Sequence, residues 1–587
     1  MCGIAGQFNF EDKPVDQKLV RTMTRALSHR GPDGEGFYFD QHVGLGHRRL
    51  SIIDLETGRQ PMRNEDGTIW LVSNGEIYNF VELREELKSK GHTFSTASDT
   101  EVILHLYEEL GERCLEKLIG MFAFTIWDQK KRRLFLARDR FGIKPLHYFY
   151  DKDTFIFASE IKALLKYEGI DKTLNPSALD QYFTFLYVVD PNCIFKRIRK
   201  LPPAHYLICE HEKIYIKKYW DLEFPSNGKY SEAYYEDHLK TALEESIQVT
   251  LRSDVPVGVF LSGGIDSSVV AALAKKANKN IKTFSVVFEE SIYSEEKYSR
   301  LVAKNLNTDH HELVVTRDDA FKAVPKIASF LDEPFADSSS IPTYYVSKLA
   351  KSFVKTVLTG EGGDELFAGY DWHTDRIFGK LDLKSLLTPP SKVIFGPRER
   401  RKLYSADLAN EIKVDRFGDL DIDFKRLDEL SVLNKFLYLE LKTYLPSDML
   451  VKLDRMSMMN SLEGRLPLLN HHYVEFVNKI PSNLKFKGSV RKYLFKKAFS
   501  NFVPKEIIRR RKRGFEIPLE IWLWQNGKFR DMVYNVVFDS KTKKRGYFNY
   551  KMIEKMFYEH DRLLKAHHHE IWTLFILELW HRNFLDE

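Results

Sequence analysis

Up to about residue 205 the apolar positions come in short runs divided by Gly, Asp and Asn: IWLVSNGEIYN (69–79), MFAFTIWD (121–128), RRLFLARD (132–139) and TFIFASE (154–160). Runs of this length, rich in β-branched and aromatic residues, predict strands. Two stretches with helical spacing interrupt them, near 80–90 and 100–118, the second preceded by Ser98 and Asp99 as capping candidates. The first 205 residues therefore read as a sheet-rich α+β domain. Residues 206–235 read as a linker, because DLEFPSNGKY (221–230) gathers Pro, Gly, Asn and Ser.

From 236 to 587 the order changes. PVGVFL (256–261), a helix over 266–277, TFSVVF (283–288), a helix near 295–306, HELVV (311–315) and VKTVLT (354–359) alternate strand with helix. Such alternation predicts an α/β domain whose parallel sheet is flanked by helices, with ligands gathering beyond the carboxyl ends of the strands. After 430 the periodicity is mostly helical, giving a helical C-terminal region. Residues 380–430 show no readable pattern.

Length agrees with two domains, since 587 residues exceed the roughly 250–300 over which one core keeps growing. With 43% hydrophobic, 29% charged and 13% aromatic residues the composition is that of a folded protein. The net charge of +6, from 89 basic and 83 acidic residues, makes no case for nucleic acid. The densest basic run, RRRKR at 509–513, is most simply a solvated face. Cys2, Cys114, Cys193 and Cys209 contain no CxxC pair and are too sparse for a disulfide framework. No apolar run approaches a membrane span, and the start lacks a signal-peptide pattern, so a cytoplasmic, non-membrane protein is expected.

Three segments carry candidate chemistry. Removal of Met1 would give Cys2 both a thiol and a free α-amine, a nucleophile with its own base; taken alone, Cys2 is simply a small second residue. SGGIDSS (262–268) follows a strand and opens a helix, offering glycines, hydroxyls and N–H groups to a phosphate. It is not a Walker A loop, because the GxxxxGK[ST] lysine is missing. LTGEGGDELFAGY (358–370) combines glycine turns with acidic residues at another strand end, where Mg²⁺ is commonly held. The histidines at 567–569 stay unassigned, since adjacent helical residues point different ways.

The strings MCGIAG (1–6), HRGPDGEG (29–36), HRRLSIID (47–54), QPM (60–62), NGEIYN (74–79), SDTEVIL (98–104) and RDRFGIKPL (138–146), in this order, closely resemble the class II glutamine amidotransferase domains of asparagine synthetases. The resemblance implies an N-terminal nucleophile sandwich in which Cys2 attacks the amide of glutamine. It implies an oxyanion site at Asn74 and Gly75, a fork for the α-carboxylate at Arg49, an anionic site for the α-ammonium at Asp99 and Glu76, and a lining from Leu50, Ser51, Ile52 and Ile53. Arg30, Gly31 and Asp33 are expected to frame the site, although HRGPDG also has the composition of a tight turn. Arg138 and Asp139 are expected to form an ion pair or anchor a loop.

The second half resembles the synthetase domain of the same family, through SGGIDSS, DEPFADSSSIPTYY (332–345), YLPSDMLVKLDRMSMMNSLEGRLPLLN (444–470) and RRRKRGFEIPLEIW (509–522). The resemblance implies ATP cleavage between the α- and β-phosphates, with ATP beside Phe260, Leu261, Ser262, Gly263, Gly264, Asp266, Ser267, Ser268, Val286, Thr359 and Gly360. Asp266 and Asp364 are the implied Mg²⁺ ligands, Glu361 the group that manages protons as ammonia attacks, Lys512 a charge facing the phosphates, and Arg465 a further contact to substrate or phosphates. Glu365 is expected only to shape a helix start. The implied reaction joins ammonia from glutamine, passed internally, to an adenylated carboxylate. The acceptor is aspartate, or another carboxylate such as a sugar acid of a surface polysaccharide. A homodimer is compatible with the resemblance. Asn470 stands where the family has Asp in PxLD, and Ser294 where an Asp follows FSVVF. Cys2 speaks against a β-lactam-forming relative, and Cys2, Asn74, Asp266, Glu361 and Asp364 together against an inactive scaffold.

Overall fold

The computed structural model describes residues 2–10, 13–210, 212–225, 228–290, 292–378, 393–412, 420–512, 514–524 and 526–586. Met1, Arg513 and much of the unreadable 380–430 stretch lie outside the described residues. The first unit contains β1 (Gly3–Asn9), β2 (Gly34–Phe39), β3 (Val43–Arg49), β4 (Met62–Arg63), β5 (Ile69–Ile77) and β6 (Gly120–Asp128). It continues with β7 (Arg133–Arg138), β8 (His147–Tyr150), β9 (Thr154–Ala158), β10 (Arg199–Lys200), β11 (His205–Glu210) and β12 (Lys213–Lys218).

These strands form two six-stranded antiparallel sheets, ordered β10-β8-β9-β1-β3-β2 and β12-β11-β7-β6-β5-β4. Ile4, Phe8, Val43 and Leu45 of one sheet meet Val72, Ala123, Trp127, Leu134 and Leu136 of the other in a shared core. The outer face of the second sheet is covered by helices Phe80–Ser89 and Glu101–Leu110 through Leu83, Leu87, Val102 and Leu106. β6 is therefore apolar on both faces, which is why MFAFTIWD reads as a continuous run and not an alternating one. The expected sandwich is present. The helix expected over 100–118 is broken: it ends at Gly111, φ +58, and resumes as a short turn Cys114–Lys117. Neither capping candidate acts at the helix N-cap itself, which is Thr100; the Ser98 hydroxyl instead accepts the Thr100 N–H at 3.2 Å.

The first unit also extends beyond residue 205. β11 and β12 pair with each other and β11 with β7, so 206–218 belongs to the sheet and not to a linker. The alternation in HYLICE and KIYIKK is the signal for this.

The second unit carries β13 (Val257–Phe260), β14 (Lys282–Phe288), β15 (Asp309–Val315), β16 (Thr356–Leu358) and β17 (Glu463–Arg465), all parallel, in the order β15-β14-β13-β16-β17. The chain runs outward from β13 to β15 and returns on the other side of β13, so a topological switch point falls between β13 and β16. Val259 is in register with Leu358, which sets the loops after these two strands side by side. β17 lies inside the region expected to be helical; its three residues are too few to show a period. Cys114, Cys193 and Cys209 are buried free thiols, as expected.

Candidate active sites

Cys2 sits at the head of β1, where the sandwich holds it from three sides. Its N–H donates to Asn74 Oδ1 at 3.0 Å, and its carbonyl accepts from Arg30 Nε at 2.9 Å. Burial pushes its thiol above the ordinary range, with a hydrogen bond from the Leu50 backbone pulling the other way. Asn74 is fully buried on β5, and its Nδ2 has no hydrogen-bond partner among the described residues. An unsatisfied buried donor costs about 1–3 kcal/mol, and this one lies on the side chain that holds the Cys2 N–H. Gly75 packs against β6 so closely that a Cβ would overlap Met121 O and stand 2.7 Å from Phe122 Cα.

The other predicted glutamine contacts surround this point. Asp99 Oδ2 accepts the Ile77 N–H at 2.8 Å, and burial raises its carboxyl to about 6. Burial, with Glu463 and Asp99 nearby, also raises Glu76 well above the carboxylate range. Arg49 turns its guanidinium onto its own loop, donating to Ile53 O and Leu55 O at 3.3 Å and to Asp54 O. Leu50, Ile52 and Ile53 are buried against Met458 of the second unit, and the Ser51 N–H donates to Asp33 at 2.9 Å. Arg138 pairs with Asp190 at 2.7 Å, while Asp139 accepts four backbone N–H groups, from Phe122, Phe141, Ile143 and Lys144. Both are loop anchors, and they are not paired with each other.

Beyond the ends of β13 and β16 the second set converges. Ser262 Oγ lies 3.0 Å from Ser267 Oγ and accepts the Gly264 N–H at 3.2 Å, shaping the loop ahead of helix Ile265–Ala277. Gly263, at φ +72, has room for no side chain: a Cβ would stand 2.6 Å from Ser299 N. Gly360 would bring one to 2.7 Å from Ser267 N, so the two loops touch through backbone. Asp266, in the first helical turn, and Asp364 share one partner, Lys492 Nζ, at 2.6 Å each, and Lys512 Nζ reaches Asp364 at 2.7 Å. These ammonium groups hold the Asp364 carboxyl well below its usual range despite burial, while Asp364 raises Lys512. Asp266 Oδ1, Ser268 Oγ, Thr359 Oγ1 and Glu361 Oε2 are buried without a hydrogen-bond partner among the described residues. Leu261 and Val286 are buried and Phe260 half-buried beside this loop.

A glutamine amidotransferase domain model matches residues 1–220, and the asparagine synthase model matches 238–582. The glutamine-hydrolysing asparagine synthetase 1 of Bacillus subtilis is 36% identical over 99% of this chain and 96% of its own. The chain belongs to the asparagine synthase family. A putative asparagine synthetase of Methanocaldococcus jannaschii is 40% identical over 64% of this chain and 76% of its own. A protein of Gibberella zeae named amidase chry2 is 29% identical over 94% of each. As a member of the asparagine synthase family, the chain couples a glutamine amidotransferase domain to an ATP-dependent ligase domain. No described helix is long and apolar enough to cross a membrane.

Several asparagine synthase residues escaped the sequence reading. Lys492 sits in the left-handed region at φ +54, ahead of helix Tyr493–Ala498; strain of this kind in a non-glycine residue collects at functional sites. No motif marks it, since its surroundings read only as the start of an amphipathic helix. Lys452 donates to Asp337 at 2.8 Å and is raised by the charges of Asp337, Asp448 and Glu361 against the effect of burial. Arg510 is not part of a solvated face: it donates to Gly263 O at 2.8 Å, pairs with Glu295 and lies 4.1 Å above the Tyr298 ring.

Arg465 also differs from expectation. Its fully buried guanidinium is engaged by Glu463 at 2.6 Å, Thr250 O at 2.7 Å, Arg252 O at 2.6 Å and Glu76 at 3.3 Å. It faces the glutamine side and not the phosphates. Asn470 caps helix His471–Lys479 by accepting the His472 N–H at 3.1 Å, a role Asp performs equally well, so the departure is neutral. Glu365 accepts from Tyr370 OH at 2.5 Å inside a short helix, consistent with a structural role.

Proposed function

We propose that this protein makes asparagine from aspartate, ATP and glutamine. In this reading Cys2 attacks the glutamine amide, and the developing oxyanion is met by Asn74 Nδ2 and the Gly75 N–H, preorganised donors of the kind that stabilise acyl-transfer transition states. Asp99 and Glu76 receive the α-ammonium. Arg49 receives the α-carboxylate with the guanidinium donors its own loop leaves available. Ammonia passes along the apolar seam of Leu50, Ile52, Ile53 and Met458, where it is kept from protonation by water. The two domains divide within 219–231.

In the ligase domain the 262–268 loop and Gly360 cradle the phosphates, Lys492 and Lys512 offset charge as pyrophosphate leaves, and Glu361 takes the proton from the attacking ammonia. Mg²⁺ fits this site: the free buried Oδ1 of Asp266 and the Asp364 carboxylate are hard oxygen donors next to the phosphate loop. The ion would neutralise phosphate oxygens there.

The observation that supports aspartate is the charge pattern near Glu361. Lys452 stands among Asp337 and Asp448, and Asp448 Oδ1 is buried without a hydrogen-bond partner among the described residues. Both signs of charge in one buried place suit a zwitterionic amino acid better than a sugar acid. The test is product analysis with aspartate, ATP and glutamine. Equal amounts of asparagine and AMP are expected, and AMP release only with a different acid would overturn the aspartate reading.

A further inference from the structure

On the outer face of the amidotransferase domain, away from Cys2, four metal-ligating side chains from three chain segments meet. Glu65 comes from the turn after β4, His92 from the loop after helix Phe80–Ser89, and His105 and Glu108 from one face of helix Glu101–Leu110. One ligand atom from each lies within 4.8 Å of all the others. His92 Nδ1 is 3.3 Å from Glu65 Oε1 and 3.9 Å from Glu108 Oε2; His105 Nδ1 is 3.4 Å from Glu65 Oε2 and 3.1 Å from Glu108 Oε2. Bonds of about 2.0–2.1 Å to a tetrahedral cation would place ligand atoms about 3.3 Å apart. Three of these four contacts are already near that spacing, and with all four ligand atoms within 4.8 Å of one another small side-chain shifts would close the shell.

The surroundings have the pattern that orients metal ligands, in which the second ring nitrogen of each histidine faces a carboxylate. His92 Nε2 lies 3.3 Å from Glu109 Oε1, and His105 Nε2 3.8 Å from Glu101 Oε1. Asn64 Nδ2 donates to the outer oxygen of Glu108 at 2.8 Å, and the Thr93 N–H to Glu65 at 3.1 Å. His105 is buried and fixed, while Glu65 and Glu108 lie at the exposed rim, which leaves a way in. We propose that Glu65, His92, His105 and Glu108 form a structural site for a divalent cation of the zinc class. Two imidazoles with two carboxylates favour Zn²⁺ over Mg²⁺ or Ca²⁺, which prefer all-oxygen shells. Bound there, the ion staples the turn, the loop and the helix. Glu101 accepts from the Ser95 N–H at 2.7 Å and the Thr96 N–H at 2.8 Å, so the staple also steadies the segment leading to Asp99.

The rival occupant is a proton. A coordinating imidazole must be neutral, so cation binding releases any proton held there and tightens as pH rises. The test uses the full chain carrying Cys2→Ala, to keep the thiol from competing, stripped with a chelator and titrated with Co²⁺. One equivalent should develop the visible bands of tetrahedral Co²⁺, and Zn²⁺ should bleach them. His92→Ala and Glu65→Gln should each weaken binding by at least ~10-fold, the size of effect that even outer partners have, while Asp364→Asn leaves the bands unchanged. Absence of tetrahedral bands in the parent protein, or bands that persist in both cluster variants, would overturn the proposal.

Discussion

Asn74 spends its two amide atoms differently: Oδ1 holds the Cys2 N–H, and Nδ2 is left free. Asn74→Ala should therefore lower glutamine hydrolysis by about 10²–10³-fold and spare ammonia-dependent synthesis, as read by glutamate release against AMP formation. Asp99 sets a pH limb. Burial raises its carboxyl to about 6, so the anion proposed to meet the α-ammonium is lost as pH falls through that value. kcat/KM for glutamine should drop below pH about 6, and Asp99→Asn should flatten that limb at a low level. The sign for stability is opposite: a carboxyl raised on folding favours the protonated fold, so its contribution declines as pH rises from about 4 to about 6. At this scale the roles proposed for Cys2, Asn74, Asp266 and Glu361 were legible because each lies in a motif whose chemistry needs that residue type. Lys492 and Lys452 were not, because a lysine beside a helix has no signature until its carboxylate partners arrive from elsewhere in the chain.

At the scale of elements, the ATP site is a consequence of strand order. β13 and β16 are neighbours at the switch point, so the SGG and TGEGG loops are forced together; alternation in the sequence foretold the parallel sheet but not this strand order. On its other side the SGG loop is pressed through Gly263 against Tyr298 and Ser299 of helix Glu296–Leu306. Gly263→Ala adds a Cβ 2.6 Å from Ser299 N at φ +72, and left-handed backbone alone costs about 1–2 kcal/mol in a residue with a Cβ. ATP-dependent AMP formation should be abolished while glutaminase activity persists. Asn470→Ala should cost about 1 kcal/mol in thermal unfolding by removing a helix cap, and Asn470→Asp nothing measurable. Among the elements missed were β17, too short to show a period, β1 to β3, whose glycines interrupt the apolar run, and β11 with β12, whose position beside a polar linker hid their alternation.

The whole molecule is joined by buried charge. Arg30 binds Glu160 at 2.7 Å in its own domain and Asp454 at 2.8 Å in the other, while Arg455 returns from the ligase domain to Glu160 at 2.6 Å and Asp332 at 3.3 Å. Arg30 also holds the Cys2 carbonyl, so one side chain ties Cys2 to the ligase domain. Arg30→Met takes the ion-pair partner from buried Asp454, while Glu160 keeps Arg455, and should destabilise the protein by about 3–5 kcal/mol in denaturant unfolding. Two domains were readable from length and pattern, but this joint was not: partners 424 residues apart leave no local trace. The central claim is that ammonia made at Cys2 is consumed by the ATP-dependent domain. The direct test is AMP formation by Cys2→Ala with aspartate and ATP, supplied either with glutamine or with ammonium. The account predicts that synthesis with glutamine is lost and synthesis with ammonium remains near the parent rate; loss of both, or retention of both, would contradict it.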